Sequence, residues 1–363
     1  MSRVVWVVAG GTAGHIHAGL SMIEAFDDGV RPVLITTDRP VDYAVTAELT
    51  LDPTVDIARV SGTGFPRGVR QIAAAMIANS KAISANLSLL RSLPRPDMVI
   101  SFGGFHTPLV SLVARARGAR SYLLEQNAAL TRSNRLVGLW SKEIFLAWPV
   151  PLPKSWVRRA AVVGNPPRRE VAALSDREGT RVALGFGDDD MVVVVTSGSL
   201  GARSVNIATV EAAEELADLT SVKVVHSMGS KNGLSEVASM VHNPRYLSLG
   251  WDPGLYRYLR AADLVVARAG ASTLTEIAEF GAASILIPLP KSPNDHQRRN
   301  AEVFVRAGAS VMIEDDTLTG TRLASMIREL VEDEPRRLGM ASAAKTLAHP
   351  RAARLMWDEM VKQ

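Results

Sequence analysis

The sequence contains no cysteine, which excludes a disulfide scaffold, a thiolate-ligated zinc and a thiol nucleophile. It also lacks any apolar run near the roughly 20 residues that a membrane-spanning helix requires. The apolar stretch Val4–Ala9 follows a single basic residue and runs straight into glycines; it is shorter than the hydrophobic core of a secretory signal. The first reading is therefore a cytoplasmic, enzyme-like protein. A strong charge excess is missing too: Lys+Arg 41 against Asp+Glu 37 leaves +4, too little to announce a nucleic-acid partner. What remains is an ordinary globular mixture, 47 % hydrophobic and 21 % charged, and 363 residues suit two or three domains.

Short, uninterrupted β-branched runs recur at Val4–Val8, Val33–Ile35, Met98–Ile100, Met191–Val195, Leu264–Val266 and Ile285–Ile287. Such runs suit parallel strands buried on both faces. Helical patterns separate them, at His17–Phe26, Arg70–Leu90, Leu109–Arg117, Val205–Leu216, Thr273–Phe280 and Asn300–Ala307. Alternating strands and helices imply an α/β class with open, mostly parallel sheets. The pattern opens twice, each time with a buried strand running into a glycine-rich turn, at Ala9–Gly14 and at Thr196–Gly201. Two openings favour two Rossmann-like domains over one large sheet. Ala161–Val163 reads as the last strand of the first half, with the boundary near Gly164. The tail, Pro335–Lys362, reads as helical with a break at His349–Pro350.

The glycine turns are the first candidates for chemistry. Gly10, Gly11, Thr12, Ala13, Gly14 and His15 follow a strand and precede a helix. There glycines permit a close backbone approach and the helix start attracts anions. The turn matches neither GxGxxG nor a nucleoside-triphosphate loop with its trailing lysine, so a tight structural turn is an equal reading. Ser197–Arg203 adds hydroxyls and a cation to backbone donors, a set suited to a phosphate or diphosphate, with a structural turn again as the alternative. Gly103 and Gly104 follow the Met98–Ile100 strand and point to the same carboxyl edge. In Arg268–Glu276, Glu276 reads either as a carboxylate for ribose hydroxyls or as the partner of Thr273 in a capping box. The cluster from Asn294 to Asn300 suits a sugar or an exposed polar loop equally. Asp188-Asp189-Asp190 precedes a strand, at the opposite edge from the glycine turns, and reads as a solvated acidic loop; no dense His/Asp/Glu set suggests a metal. Between Ile57 and Leu124 the only acid is Asp97 among nine Lys and Arg residues, with Ile72, Met76, Ile83, Leu87 and Leu90 on one helical face. Either a core-packed helix with a solvated basic side or a surface for anionic lipid head groups fits this segment.

The order and spacing of these groups carry a resemblance. Gly10–His15, Phe102–Phe105, Glu125-Gln126-Asn127 with Thr131 and Asn134-Arg135, Gly164-Asn165-Pro166 with Arg168, Ser197–Arg203, Arg268–Glu276, and His296-Gln297 with Asn300 resemble the MurG family of peptidoglycan glycosyltransferases over nearly the whole chain. The resemblance implies a GT-B fold, two Rossmann-like domains facing a deep cleft. It assigns 1–163 to an acceptor and membrane-side domain, 164–340 to a UDP-sugar domain, and 341–363 to helices returning to the first domain. It implies inverting transfer of N-acetylglucosamine from UDP-N-acetylglucosamine to lipid I, forming lipid II at the cytoplasmic face of the membrane, without cofactor or metal, alongside other cell-wall synthesis enzymes. A related UDP-sugar transferase or epimerase, or a nucleotide-binding docking module, are the alternatives.

By the same resemblance Glu276 meets the ribose, while Arg168, Ser199, Ser272 and Thr273 lie in the nucleotide region and Trp251 lies near the uracil. Gln297 and His296 face the sugar, and Arg268 matches an arginine of the donor region. Thr12, Ala13, Gly14 and Asn127 also belong to the donor set. Gly10, Gly11, Gly14, Gly103 and Gly104 surround the acceptor diphosphate, and Phe65–Leu90 corresponds to a membrane-association surface. His15 is the candidate general base or an orienting donor to the diphosphate, and Glu125 is the other candidate base. Ala13, Leu124 and Ser197 depart from the family's usual glycine, histidine and glycine, and Ala18 stands where a proline is usual.

Overall fold

The computed structural model describes residues 3–47, 54–62, 80–174, 176–230, 238–239 and 241–362. It divides into two compact units, Met1–Arg169 with Pro350–Gln363, and Glu170–His349. The chain thus changes unit at Arg169–Glu170 and returns at His349–Pro350, where the sequence reads a break between tail helices.

The first unit is built on a seven-stranded sheet: β1 Arg3–Val8, β2 Val30–Thr37, β3 Asp56–Val60, β4 Met98–Ser101, β5 Arg120–Glu125, β6 Glu143–Leu146 and β7 Ala160–Val162. Their order is β3-β2-β1-β4-β5-β6-β7, and every pairing is parallel. The run Val5–Val8 is apolar without interruption because both faces of β1 are covered. Val5 and Val7 join a core with Ile16, Met22, Met356, Trp357 and Met360; Trp6 and Val8 join one with Leu90, Val110 and Ala114. The last helix, Ala352–Val361, lies on the first of these faces, where the Phe26 and Trp357 rings are 4.6 Å apart and the Tyr122 hydroxyl donates to the Met360 carbonyl at 3.2 Å. Gly19 sets how closely the helix Ala13–Glu24 approaches β1, since a β-carbon there would lie 2.7 Å from that of Ala9.

The second unit carries β8 Met191–Thr196, β9 Val222–Ser227, β10 Tyr246–Leu249, β11 Leu264–Ala267, β12 Ala283–Leu286 and β13 Ser310–Met312. The order is β10-β9-β8-β11-β12-β13, again parallel throughout. Both sheets reverse their strand order once, between β1 and β4 and between β8 and β11. In such sheets ligands bind at the carboxyl ends of the strands on either side of the reversal.

Some expectations change. The strand expected at Ile285–Ile287 is Ala283–Leu286, because pairing with β11 begins at Leu264↔Ala283. The long helix expected at Arg70–Leu90 lies partly outside the described residues, as do Ile72 and Met76; its described part is Ser80–Ser92. There Leu90 is fully buried, and the buried Asn86 pairs with both backbone groups of Ser61. Several cations of this segment serve the fold: Arg117 donates to the Leu90 and Leu93 carbonyls, and Arg95 to that of Arg117.

Asp188 and Asp189 are exposed, but Asp190 is not a solvated loop residue. Its carboxylate pairs with Lys223 and Arg245, each at 2.7 Å, and accepts the Gly187 amide. Burial works to raise its pKa, but these partners outweigh it and hold the group at about 2. A depressed pKa contributes stability that is full above the unfolded value near 4 and is lost as pH falls through about 2. Asp190→Asn should therefore lower unfolding stability by roughly 1–3 kcal/mol near neutral pH. In denaturant titrations, that difference should shrink between pH 4 and pH 2.

Candidate functional site

In the first unit the carboxyl-edge site is assembled from the turns after β1, β4 and β5. The turn after β1 is clamped by a residue without a local sequence signal, Asp42. Its buried carboxylate accepts the Gly11 amide at 2.9 Å, the Thr37 amide at 2.8 Å and the Thr37 hydroxyl at 2.7 Å. A β-carbon on Gly10 would lie 2.6 Å from that carboxylate, and Gly11 has φ +83°. These two glycines are thus needed for the clamp itself, and the Gly11 amide is engaged inside the fold. The amides that lack an intrahelical acceptor are those of the following helix start, Ala13 and Gly14. Thr12 is the N-cap, and its hydroxyl accepts the His15 amide at 3.4 Å. Ala13 is the first helical residue, so its methyl is accommodated without a left-handed backbone.

The His15 side chain reaches back to the Gly10 carbonyl, 3.1 Å from Nδ1. A carbonyl only accepts, so Nδ1 carries the proton and the neutral ring has its lone pair on Nε2. Gly103 lies beside that nitrogen: a β-carbon there would be 3.2 Å from Nε2. A β-carbon on Gly104 would strike the His106 ring at 2.8 Å. His106 is buried, and burial first, then the charges of His15 and Arg39, push its pKa down to about 3. It is a neutral ring at physiological pH.

Glu125, at the end of β5, is buried and accepts four hydrogen bonds: from the amide and side chain of Asn127, the amide of Thr131 and the side chain of Asn134. Burial raises its pKa while these donors pull it down. Gln126 donates to Asn165 at 2.9 Å, tying this turn to the Gly164–Pro166 segment. Leu124 is fully buried in the core beside Ile16 and Met356, so the residue preceding Glu125 is directed into packing. Arg168, half-buried, belongs to this first unit.

In the second unit the reversal between β8 and β11 is flanked by two helix starts. The helix Arg203–Glu215 begins after Ala202, and Ala271–Phe280 begins after Gly270; neither has a side-chain cap. Each therefore presents backbone donors and the positive end of its dipole at the carboxyl edge. The capping-box alternative for Thr273 and Glu276 is corrected by this geometry, because Thr273 lies inside the helix. Ser272, Thr273 and Glu276 share one side of it, and Glu276 is 7 % exposed.

The turn between β8 and its helix has Gly198 and Gly201 at positive φ, with Ser199 and Leu200 exposed. Gly229 packs directly beneath, where a β-carbon would lie 2.3 Å from the Gly201 nitrogen. Ser197 points inward instead: its hydroxyl donates to Asn206 Oδ1 at 2.9 Å. The same oxygen accepts from His226 Nε2 at 3.1 Å, and His226 Nδ1 in turn accepts the Tyr246 hydroxyl at 2.8 Å. Burial lowers His226 to about 4 and raises Tyr246 to about 12, so this chain is neutral.

Arg268 is buried and fastened to the Ile287 and Pro288 carbonyls, to Ser204 and to Asp315 at 2.6 Å. It joins the ends of β11 and β12 to the segment after β13. Asn300 donates to the Ala269 carbonyl at 3.0 Å. Gln297 accepts the Leu289 amide, and His296 Nδ1 donates to the Pro293 carbonyl. Lys291, Asn294 and Asp295 in this loop are the non-glycine residues with positive φ among the described residues; such strain gathers at functional loops. Trp251, 49 % exposed, follows β10.

Residues 5–146 match the Glycosyltransferase family 28 N-terminal domain and residues 192–356 the Glycosyltransferase family 28 C-terminal domain. A protein of Xanthomonas euvesicatoria pv. vesicatoria (strain 85-10), named UDP-N-acetylglucosamine–N-acetylmuramyl-(pentapeptide) pyrophosphoryl-undecaprenol N-acetylglucosamine transferase, is 34 % identical over 370 residues, covering 100 % of this chain and 82 % of the relative. The chain belongs to this transferase family. The crystal structure of Acinetobacter baumannii MurG shares its fold, with a TM-score of 0.76 at 23 % identity over 100 % of both chains. So does UDP-GlcNAc 2-epimerase from Neisseria meningitidis bound to UDP-GlcNAc, with a TM-score of 0.69 at 14 % identity over 99 % of this chain and 100 % of that one. The chain is thus a family 28 glycosyltransferase of GT-B fold, and the sequence relationship selects transferase over epimerase within that shared fold.

Within the family framework, the inward Ser197 hydroxyl accounts for one departure: it engages Asn206 and not the edge of the turn. Ser197→Gly should lower stability by about 1 kcal/mol and leave donor KM within about threefold. Thermal unfolding and initial-rate kinetics read the two effects separately.

Proposed function

We propose that this chain transfers N-acetylglucosamine from UDP-N-acetylglucosamine to the muramoyl 4-hydroxyl of lipid I, with inversion, forming lipid II. The observation that carries the donor half is the pair of uncapped helix starts flanking the β8–β11 reversal, with Glu276 one turn inside the second. Backbone donors at two helix starts suit a diphosphate, and a buried carboxylate beside them suits the ribose hydroxyls. Family membership supports the choice of acceptor.

In this reading the Arg203 and Ala271 helix starts receive the charge that develops on the departing UDP. Ser199, Ser272 and Thr273 lie along the diphosphate, the backbone near Trp251 meets the uracil, and His296 and Gln297 meet the sugar. Arg268, already held by Asp315 and two carbonyls, shapes the crevice by joining its walls. In the acceptor half, the Ala13 and Gly14 amides and the Gly103–Gly104 turn surround the acceptor diphosphate. Nε2 of His15 takes the 4-hydroxyl proton as the oxygen attacks the anomeric carbon and the bond to the UDP oxygen breaks. Glu125, with four donors on its carboxylate, holds the turn that carries Asn127.

The acceptor is a membrane lipid, and the first unit has a surface suited to an anionic bilayer. Leu112, Leu136 and Leu139 are exposed on neighbouring segments, together with exposed Arg115, Arg132, Arg135 and Lys142. Apolar side chains ringed by cations bind the interface of anionic membranes. This surface adds to the segment Phe65–Leu90, of which residues 65–79 lie outside the described part. Among the described residues no helix is long and apolar enough to cross a membrane. In this reading the chain acts as a peripheral enzyme at the cytoplasmic face of the membrane.

Two substitutions test the division of labour on a lipid I analogue. Glu276→Ala should raise donor KM by about ten- to a hundredfold, as expected for one or two lost hydrogen bonds to a charged group, and weaken UDP binding in calorimetry. Unchanged UDP affinity removes the ribose assignment. His15→Ala should lower kcat by roughly 10²–10⁴ with UDP affinity retained; wild-type turnover removes His15 from the chemistry. For the surface, Leu112→Glu with Leu139→Glu should reduce sedimentation with phosphatidylglycerol vesicles and leave turnover of a water-soluble acceptor intact.

A further inference from the structure

Asn134 lies on the short helix Arg132–Val137 and is 1 % exposed. Its side-chain amide donates to Glu125 Oε2 at 2.8 Å and faces the Leu124 carbonyl at 3.4 Å. A carbonyl can only accept, so the amide orientation is fixed, with Nδ2 toward β5 and Oδ1 turned away from it. That oxygen is buried and has no hydrogen-bond partner among the described residues. An unmet buried acceptor is costly and calls for an explanation.

Gly103 supplies the geometry. A β-carbon built there would sit 3.2 Å from His15 Nε2 and 3.7 Å from Asn134 Oδ1. Both atoms border the same small space, which exists because residue 103, at φ +106°, has no side chain. In the resting state His15 has its proton on Nδ1, donated to Gly10, so Nε2 presents a lone pair toward a space that an acceptor oxygen also borders. Two lone pairs around one space favour the arrival of a proton between them.

We propose that Asn134 is a positioning residue for His15, its Oδ1 accepting the Nε2–H of the imidazolium that forms when His15 takes the acceptor's proton. The proposal rests on the transfer reaction above and deepens it. In that step the hydroxyl proton moves to Nε2, the oxygen's electron pair forms the bond to the anomeric carbon, and the electrons of the broken carbon–oxygen bond leave with UDP. Glu125 takes part at one remove, by fixing the orientation of Asn134. His106 is the second imidazole near His15, and its burial as a neutral ring keeps it from placing a competing positive charge there.

The test is a titration of His15 by NMR in the full chain labelled at the histidine ring nitrogens, its signal assigned by His15→Gln. Among the described residues of the first unit, the titratable and charged groups on the elements packed about His15 include His106 after the Gly103–Gly104 turn, Arg39 and Asp42 after β2, and Glu125 at the end of β5; all are retained in the comparison. In the unsubstituted protein the neutral ring should carry its proton on Nδ1. Asn134→Ala should lower the His15 pKa by about one unit, a tenfold loss of proton affinity. It should also move the acid limb of kcat/KM to lower pH by the same amount, with donor KM unchanged.

An unshifted His15 in folded Asn134→Ala overturns the proposal. So does a neutral ring protonated on Nε2 in the unsubstituted protein, an observation that stands even where Asn134→Ala does not fold. The titration needs no substrate. Absence of lipid II product with the His15 shift intact therefore contradicts the transfer reaction and leaves the pairing in place.

Discussion

Parallel strands can be joined only by crossovers that pass over a sheet face, and those crossovers bury both faces. A strand in such a sheet has no solvated side on which to display chemistry, so every polar function moves to the strand ends. In this protein β1 shows the constraint directly: Val5 and Val7 fill one core, and Trp6 and Val8 fill the other. Just past Ala9 come Gly10 and Gly11, and the same sequence of buried strand, tight turn and helix start recurs at β8 and at β11. The location of the candidate site follows from how the sheets are covered.

Concentrating function at strand ends creates a second problem, because turns that expose backbone donors must still be held in one shape. The protein meets it with buried polar groups beneath each turn. Asp42 holds the first glycine turn, Glu125 holds the turn after β5, and Ser197, Asn206, His226 and Tyr246 form a neutral chain beneath the turn after β8. Arg268 does the same for the ends of β11 and β12. A buried polar group is stabilising only when its partners are present, so each of these clamps favours a single arrangement of the loop above it. The Oδ1 of Asn134 is one of several buried polar atoms without a partner among the described residues, with Ser101 Oγ, both His106 ring nitrogens and Arg268 Nε.

The sequence was most readable where one physical demand dominated a stretch. Uninterrupted β-branched runs marked β1, β4, β8 and β11, and the doubled glycine opening indicated two Rossmann-like sheets. Strands such as β3, with Asp56 and Arg59, or β10, with Ser248, mix polar and apolar residues near sheet edges and carry no such run. Helix starts are blurred for a related reason. The pattern that begins at His17 belongs to a helix that starts at Ala13, because its first turn is glycine and polar residues and its apolar stripe begins only later. The candidate site was legible in its turns and in its order of motifs. Its supports were not, because Asp42 meets Gly11 across 31 positions and Asp315 meets Ser204 across 111, distances at which one sequence carries no pairing signal. Within the basic segment before Leu124, Arg117 and Arg95 bind backbone carbonyls of the fold itself, a use that charge counting does not reveal.

The central claim is direct displacement at the anomeric carbon by a lipid-borne hydroxyl, and the stereochemistry of the product reads it most directly. NMR of the disaccharide formed from UDP-N-acetylglucosamine, which is α-linked to its diphosphate, and a lipid I analogue measures the configuration of the new linkage. The account predicts a single β-linked N-acetylglucosamine on the muramoyl 4-hydroxyl. An α-linked product, or a UDP-sugar epimerised at C2 with no disaccharide, contradicts it.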